Sequence, residues 1–309
     1  MKRAAITLDN ILSWENLMDA AYKAARGKRY NPEVINFFNS IYKSIQDIRN
    51  NTIEGKIPSL RYKQFILHDP KERIITVVPF AERVLHHAIL NCIESSLERI
   101  FIPWTFACRQ GKGPLCAVKH AQSSIRKYNW YVKIDIKKYF HTIDHVILQH
   151  LLLKKFKGHT FIRLLKKIIE GYAVQPGKGL PIGSLTSQHF ANYYLNWFDH
   201  FLCELKNVQA YARYMDDIIW WCKTPVLAKN VLKCAKDYLS HELGLSINDN
   251  IQINKSKEGI TFCGFRIYPG TIKLTKRKMN NYKSRRKYWE QLYLDGRIDG
   301  EKLQSVYSS

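Results

Sequence analysis

The stretch Tyr214-Met215-Asp216-Asp217 places two adjacent carboxylates between largely apolar runs at residues 211–214 and 218–221. Two such runs around a short polar pair predict a strand, a tight turn and a second strand. A third carboxylate, Asp135, lies near the end of another strand-like run at residues 130–136. Divalent ions such as Mg²⁺ prefer oxygen ligands and share them between one or two carboxylates and the phosphates of a substrate. The pattern therefore predicts a metal site suited to nucleotidyl transfer.

Length, core content and charge narrow the class of protein. The chain has 309 residues, enough for a single large enzyme core with lobes. Its 46% hydrophobic and 13% aromatic residues can form a substantial core, which excludes wholesale disorder. Against 26 Asp and Glu stand 49 Lys and Arg, a formal net charge of +23. Such an excess favours nucleic acid as a partner, because neutralising phosphates releases counterions.

The cysteine pattern and the hydropathy of the chain exclude further classes. The 7 cysteines include no C-x-x-C pair, which suits neither a disulfide framework nor a structural zinc site. No uninterrupted apolar run is long enough to cross a membrane, and the first residues lead into no signal-peptide core. We therefore expect an intracellular, cytoplasmic protein with no membrane partner.

Hydrophobic periodicity predicts alternating helices and strands. The predicted helices cover residues 10–50 (two helices), 80–101, 147–172 (a pair), 185–205 and 225–243. The predicted strands cover residues 60–67, 73–78, 130–136, 211–214, 218–221 and 261–267. The order around Asp216 is strand, helix, hairpin, helix, strand. It predicts an α+β fold in which the carboxylates lie on an antiparallel sheet flanked by helices.

The chemistry of in-line phosphoryl displacement explains why carboxylates from distant segments are needed. Two metal ions roughly 4 Å apart clamp the attacking and leaving oxygens. At least one carboxylate must bridge both ions, so the ligands cannot all lie on one local segment. Asp135 and Asp216 are predicted to be the principal ligands. Asp217 is predicted to be a weaker ligand, and the Ile136 carbonyl a further oxygen.

Several blocks of the sequence resemble the motifs of reverse transcriptases, in the order of that family. The segment Asp135-Ile136-Lys137-Lys138-Tyr139-Phe140 and the 214–217 block resemble its catalytic motifs. Residues 71–83 resemble a fingers motif, residues 106–113 the next fingers block, and Phe262-Cys263-Gly264-Phe265 the primer-grip hairpin. The matches span roughly residues 60–270, most of the chain.

The resemblance implies a right-hand polymerase fold with three parts. Residues 1–58 are expected to form an N-terminal helical extension, and residues 59–269 interleaved fingers and palm. Residues 270–309 are expected to form a short helical thumb built on a basic helix. The expected cofactor is a pair of Mg²⁺ ions, with Mn²⁺ as the alternative.

The resemblance also implies roles at the nucleotide. Arg73 matches the fingers arginine that contacts an incoming triphosphate, and a guanidinium suits phosphate by its bidentate fork. Phe140 matches the steric gate, where a ring would collide with a ribose 2′-hydroxyl and select deoxynucleotides. Gly183 would let the backbone approach the templating pair. The full nucleotide-binding set is Lys71, Arg73, Phe140, Ile182, Gly183 and Gln188.

A basic C-terminal segment predicts a surface for the nucleic-acid backbone. As a helix it would follow phosphates in the manner of a polymerase thumb. The expected nucleic-acid-binding residues are Arg109, Lys112, Lys276, Arg277, Lys278, Lys283, Arg285, Arg286 and Lys287.

One block resembles a narrower group, the diversity-generating retroelements. An aliphatic Ile182 before Gly183, with Ser187-Gln188 following, is similar to their pattern. Such bacterial or phage-encoded enzymes copy a template-repeat RNA into cDNA with errors concentrated at adenines. The resemblance implies as partners the template-repeat RNA, a cDNA primer or product, dNTPs and a pentameric accessory variability protein. Ile182 replaces a polar side chain, and losing one well-placed hydrogen bond removes roughly 1–2 kcal/mol of discrimination. Ile182 is therefore predicted to lower fidelity.

Two alternatives share these motifs. A group II intron-like or an abortive-infection reverse transcriptase would use the same palm and the same carboxylates. A non-catalytic RNA-binding scaffold could keep the fold, although clustered carboxylates without metal repel one another and raise each other's pKa.

Overall fold

The N-terminal region is helical. A computed structural model of the chain describes residues 3–57, 62–68 and 72–307. The first elements are β1 (Ala4–Ala5), α1 (Leu8–Leu12), α2 (Trp14–Ala25), α3 (Pro32–Asn39) and α4 (Ile41–Ile53). The sequence predicts only two helices over residues 10–50, and the structure corrects this. Ser13 and Asn31 each cap the start of a new helix with a side-chain oxygen.

A hairpin and two helices follow. They are β2 (Lys63–His68), β3 (Glu72–Val77), α5 (Phe80–Glu98) and α6 (Pro114–Lys127). The predicted strands of the hairpin and the helix after it are confirmed. The strands are largely exposed on both faces, so this hairpin projects from the rest of the fold. Lys71 lies outside the described residues.

The middle of the chain builds a sheet and the helices that cover it. These elements are β4 (Trp130–Asp135), α7 (Tyr139–Thr142), α8 (His145–Lys155), β5 (Phe156–Lys157), α9 (His159–Glu170), α10 (Leu185–Tyr194), α11 (Asn196–Glu204), β6 (Ala210–Tyr214), β7 (Asp217–Cys222), α12 (Pro225–Leu243) and β8 (Gln252–Lys255). The helical pair, the strand–turn–strand unit and α12 are confirmed at or near the predicted bounds. The single helix predicted from residue 185 is divided at Leu195 into α10 and α11.

The C-terminal part begins with a small sheet. It contains β9 (Ile260–Phe262), β10 (Phe265–Ile267) and β11 (Ile272–Leu274), followed by α13 (Lys276–Leu294) and α14 (Gly300–Tyr307). The hydrophobic pattern predicts a single strand over residues 261–267, but the segment is a hairpin, as the resemblance at residues 262–265 implies. Its turn forms at Cys263 and Gly264, which both adopt a positive φ. Since β11 pairs with β10, the predicted boundary after residue 269 falls inside this sheet. Within the described residues, no helix combines the length and hydrophobicity needed to cross a membrane.

The central sheet has four antiparallel strands in the order β6-β7-β4-β8. Side chains alternate between its two faces, and both faces are buried. Val132 and Trp220 face the larger core, which includes residues of α10, α11 and α12. Tyr131 and Trp221 face a second core with α6 and the β9–β10 hairpin. The predicted α+β class is therefore confirmed.

The short N-terminal strand pairs with a strand from the middle of the chain. β1 runs parallel to β5, and the Ile6 amide donates to the Lys157 carbonyl at 3.1 Å. Gly158, at φ +124°, has no side chain at this crossing, and an added Cβ would lie 2.2 Å from the Ile6 carbonyl oxygen. Residues of α1 to α4 belong to the same core as α5, so the N-terminal helices are packed into the main body.

Gly158→Ala should therefore loosen the attachment of β1. We expect the free energy of unfolding to fall by about 1–3 kcal/mol, because the new methyl group overlaps a backbone oxygen that cannot rotate away. Chemical denaturation measures the change. Gly177→Ala is the matched control, since its φ is also positive (+72°) but its Cβ would meet no atom of the described residues within 4 Å. Equal losses in the two variants would contradict the close approach of Gly158 to the Ile6 carbonyl.

Candidate active site

The acidic turn is a two-residue hairpin loop. Tyr214 pairs with Asp217 across the strands, which leaves Met215 and Asp216 as the loop residues. Met215 has φ +57°, a left-handed conformation that is uncommon for a residue with a side chain. Arg213 Nη1 donates to the Met215 carbonyl at 3.1 Å. The turn is therefore held from the core side as well as by its strands.

Asp135 lies directly across the sheet from this turn. It pairs in register with Asp217, so their two side chains are cross-strand neighbours on one face. Asn248 Nδ2 donates to Asp135 Oδ2 at 2.5 Å, and the Asn248 amide donates to the Asp135 carbonyl at 2.8 Å. Asn248 thus orients Asp135. Sequence reasoning missed it, and the polar run at residues 248–250 was the only signal available.

A lysine on the same face contacts the other carboxylate. Lys133 Nζ lies 3.0 Å from each oxygen of Asp217, although only Oδ2 meets the geometry of a hydrogen bond. The same ammonium donates to the Thr261 carbonyl at 2.6 Å. Lys133 therefore ties Asp217 to the β9–β10 hairpin. It too escaped the sequence analysis, because a lysine in a strand looks like a solvated residue.

Burial and mutual repulsion perturb two of the carboxyls. Burial, followed by repulsion from Asp135 and Asp217, raises the pKa of Asp216 to about 6, while Arg73 opposes the shift. Burial also raises the pKa of Asp217 to about 6, with Lys133 lowering it and Asp135 raising it. The cleft therefore holds negative charge that the protein itself compensates only in part. A bound cation would relieve it.

The donor chemistry fits a divalent cation. Carboxylate oxygens are the ligands that Mg²⁺ prefers, and the buried Asp217 Oδ1 accepts no hydrogen bond from the described residues. Among the described residues, however, no three His, Cys, Asp or Glu side chains are arranged so that they could hold an ion. Asp217 is turned to Lys133 and Asp135 to Asn248. Ile136 follows Asp135 and forms a bridge with Ile247. Metal binding by this set stays a prediction.

The predicted nucleotide side is joined to the projecting hairpin. The Thr76 amide on β3 donates to the Ile182 carbonyl at 2.7 Å. A Cβ added to Gly183, at φ +111°, would lie 2.6 Å from the Thr76 carbonyl oxygen. Glycine is therefore required for this approach. Arg73, on the same strand, is close enough to lower the pKa of Asp216. The structure thus joins Ile182 and Gly183 to β3, the strand that carries Arg73.

Two further predicted residues lie beside this loop. The Leu180 amide donates to the Phe140 carbonyl at 2.7 Å, which places Phe140 against the segment that leads to Ile182. Gln188, on α10, accepts a long hydrogen bond of 3.5 Å from Cys108 Sγ. Their roles at a nucleotide stay predictions.

Arg109 is corrected from a nucleic-acid contact to a structural residue. Its side chain is 6% exposed and binds Glu98 through Nε and Nη2 at 2.8–3.1 Å. Its Nη1 donates to the Ile102 carbonyl at 2.6 Å and to Thr105 Oγ1 at 2.8 Å. These contacts occupy the guanidinium inside the protein. Lys112 also folds back, since Nζ donates to the Pro103 carbonyl.

The predicted primer-grip hairpin contacts the basic helix. Lys278 Nζ donates to the Cys263 carbonyl at 2.9 Å and lies 4.6 Å from the Phe265 ring centre. The sequence predicts that Lys278 contacts nucleic acid. In the structure its ammonium instead contacts the hairpin turn at Gly264. The other predicted basic residues of α13 are exposed: Lys276, Arg277, Lys283, Arg285, Arg286 and Lys287. They are spread around the helix that follows this sheet, and one of them, Arg286, pairs with Glu290 at 3.2 Å.

The chain matches the family model described as "Reverse transcriptase (RNA-dependent DNA polymerase)" over residues 35–267. It is 24% identical over 294 residues to the putative COX1/OXI3 intron 2 protein of Saccharomyces cerevisiae, covering 75% of this chain and 34% of that protein. It is 28% identical over 172 residues to the group II intron-encoded protein LtrA of Lactococcus lactis subsp. cremoris, covering 54% and 28% respectively. It is 29% identical over 145 residues to the retron Ec73 reverse transcriptase of Escherichia coli, covering 44% and 45%. The chain therefore spans about a third of the yeast and lactococcal proteins.

Similarity to a solved structure extends to the fold. Apo telomerase from Candida tropicalis, truncated from its C-terminal domain, superposes with a TM-score of 0.51 at 13% identity. The match covers 69% of this chain and 55% of that one. The predicted polymerase fold of antiparallel sheet and helices is confirmed.

The raised pKa of Asp216 makes the stability of the metal-free protein depend on pH. The folded pKa is about 6 against an ordinary 3.8, so the native state binds a proton more tightly than the unfolded state between these values. The resulting destabilisation is small near pH 4 and complete above about pH 6. We expect Asp216→Asn to raise the free energy of unfolding by about 1–3 kcal/mol near pH 7.5 and by little near pH 4.

Urea unfolding in the presence of a chelator measures both values. Asp237→Asn is the control, because Asp237 is exposed on α12 and its loss should change stability by less than about 0.5 kcal/mol at either pH. A gain for Asp216→Asn that is the same at both pH values would contradict the electrostatic origin.

Proposed function

Because this chain belongs to the reverse transcriptase family, we propose that it acts as an RNA-directed DNA polymerase by two-metal-ion nucleotidyl transfer. The observation that carries the proposal is the pairing of Asp135 with Asp217 beside the Asp216 turn. Arg73 acts on the same turn from the projecting hairpin. A guanidinium that would bind phosphate thus lies within electrostatic range of carboxylates that would bind metal, a combination that supports phosphoryl transfer.

The metal ligands follow from this arrangement. Asp135 and Asp216 would hold two Mg²⁺ or Mn²⁺ ions, with Asp217 and the Ile136 carbonyl as further oxygens. Bound ions stabilise the charge that develops on the attacking and leaving oxygens. The protein's own contribution is orientation. Asn248 fixes the carboxylate of Asp135, and Lys133 fixes that of Asp217.

Other side chains would place the substrates. Arg73 would bind the triphosphate through its planar fork. Phe140 would exclude the ribose 2′-hydroxyl, and Gly183 would let the backbone reach the templating pair. The exposed basic residues of α13 would follow the phosphates of the RNA–DNA duplex.

Within the family, the 180–188 block favours an enzyme of the diversity-generating kind. Ile182 offers no side-chain donor or acceptor, and Ser187-Gln188 accompanies it in this block. Such an enzyme would copy a template-repeat RNA into adenine-mutagenised cDNA. It would work with a pentameric accessory variability protein. An intron-type reverse transcriptase is the second candidate, favoured by the similarity to intron-encoded proteins.

Asp216→Asn should abolish cDNA synthesis. We expect primer extension on an RNA template with Mg²⁺ to fall at least about 100-fold, because a principal metal ligand is lost. Gel-resolved extension of a labelled DNA primer measures it. Asp237→Asn should extend the primer like the unmodified protein. Comparable extension by Asp216→Asn would refute the role of Asp216 as a metal ligand, whereas no extension by the unmodified protein would leave the scaffold alternative.

Ile182→Gln should improve fidelity. A restored hydrogen bond of about 1–2 kcal/mol corresponds to roughly 5–30-fold fewer misincorporations, and the effect should be largest opposite template adenines. Deep sequencing of cDNA made from a defined RNA measures the error spectrum. Ile182→Leu is the matched control, since it stays apolar and close in volume. An unchanged spectrum for Ile182→Gln would count against the role of Ile182 and against the diversity-generating assignment.

A further inference from the structure

A buried ion pair lies beneath the acidic turn. Arg213, on β6, and Asp199, on α11, both have side chains that are 0% exposed. The guanidinium binds the carboxylate with two short contacts, Nε–Oδ1 at 2.6 Å and Nη2–Oδ2 at 2.5 Å. Burying two charges is costly and gives little net stability even when they are paired. Such a pair therefore calls for a role beyond packing.

The guanidinium uses all of its donors. Arginine has five N–H groups, and two of them bind Asp199. Two more bind Asn192 on α10, Nη1 to Oδ1 at 2.9 Å and Nη2 to the carbonyl at 3.1 Å. The remaining Nη1–H donates to the carbonyl of Met215 at 3.1 Å. Four donors thus anchor the group to two helices, and the fifth reaches the turn.

Met215 is the residue of the turn that most needs support. Its φ of +57° lies in the left-handed region, where a side chain incurs a conformational cost that glycine avoids. A hydrogen bond from a charged donor is stronger than a neutral one. The contact from Arg213 can therefore stabilise this conformation. Asp216 is the next residue, so the geometry of Met215 sets the direction in which its carboxylate points.

We propose that Arg213 is a positioning residue, clamped by Asp199 and Asn192, that fixes the Met215 carbonyl and thereby aims Asp216 at Asp135. The inference rests on the proposed function, in which Asp216 holds metal. A site that is held in place before the ion arrives binds it more tightly, because less ordering is needed on binding.

The backbone of Arg213 makes hydrogen bonds that do not involve its side chain. The role of the side chain can therefore be tested by substitution. The backbone amide of Arg213 donates to the Trp104 carbonyl at 3.0 Å, and its backbone carbonyl accepts from the Phe106 amide at 2.9 Å. Substitution of the side chain leaves both contacts in place. The attachment of β6 to residues 104–106 should therefore persist in a variant.

Arg213→Lys is the principal test. Lysine keeps the positive charge for Asp199, but a single ammonium lacks the planar fork needed to reach Asn192 and Met215 as well. We expect the dissociation constant for Mn²⁺ to rise about tenfold in nucleotide-free protein, the loss of one hydrogen bond to a charged group. Electron paramagnetic resonance of free Mn²⁺ measures it. Hydrogen–deuterium exchange in metal-free protein should also rise at residues 214–217.

Tyr211→Phe separates positioning from general destabilisation. Its hydroxyl donates to the same Asp199 Oδ1 at 2.6 Å, and within the described part of the chain no hydrogen bond joins this hydroxyl to the turn. This variant should lower the melting temperature yet keep the Mn²⁺ dissociation constant within about twofold, because the clamp on Met215 stays intact. Adding Met215→Gly to Arg213→Lys should recover part of the lost Mn²⁺ affinity, since glycine adopts the left-handed conformation without support.

Two results would overturn the inference. One is an unchanged Mn²⁺ affinity in Arg213→Lys; the other is an equal loss in Tyr211→Phe. If Arg213→Lys does not fold, Arg213→Gln combined with Asp199→Asn removes both buried charges together and is judged by the same titration. Primer extension by the unmodified protein is run in parallel. Its failure alongside normal, Asp216-dependent Mn²⁺ binding would refute the polymerase function while the titration still decides the role of Arg213.

Discussion

The register between β4 and β7 is the constraint on which the site depends. Side chains alternate across a strand, so a slip of one residue would exchange the two faces of the sheet and separate Asp135 from Asp217. Both faces are buried, with Trp220 and Trp221 fully covered on opposite sides. Such a slip would therefore disrupt two cores at once. The hydrophobic pattern on either side thus holds the carboxylates together even though they repel one another.

Electrostatics in the cleft differ sharply from the rest of the molecule. The chain carries 49 Lys and Arg against 26 Asp and Glu, yet three acidic groups meet at one turn. Lys133 and Arg73 offset part of their charge, and burial still leaves the pKa of Asp216 near 6. Six exposed basic residues lie on α13. The acidic cleft and this helix carry the two kinds of charge that the proposed polymerase would use for metal ions and for nucleic-acid phosphates.

Several elements were predictable because their signals are local. The bounds of α12 follow from Thr224 as N-cap, Pro225 at the first position and Gly244 in a left-handed C-cap. In contrast, α6 has no predicted counterpart, since its buried side of Ala117, Val118 and Ala121 is weakly hydrophobic. The N-terminal region contains more helices than the two predicted, because capping residues interrupt a continuous apolar pattern. Helix boundaries can be predicted from a sequence only where the capping residues and the hydrophobic pattern are clear and agree with each other.

The candidate residues for the chemistry, which are the acidic turn, Asp135 and the Ile182–Gly183 block that meets β3, could all be found in the sequence. The contacts that hold them in place appear first in the folded chain. Asn248 reaches Asp135 from 113 residues away, and Arg213 reads as an ordinary cation until Asp199 and Asn192 surround it. The structure also shows that Arg109 is not available to contact nucleic acid, because its guanidinium binds Glu98. A sequence records the charge of a side chain, whereas its partner depends on which distant segments the fold brings within hydrogen-bonding distance.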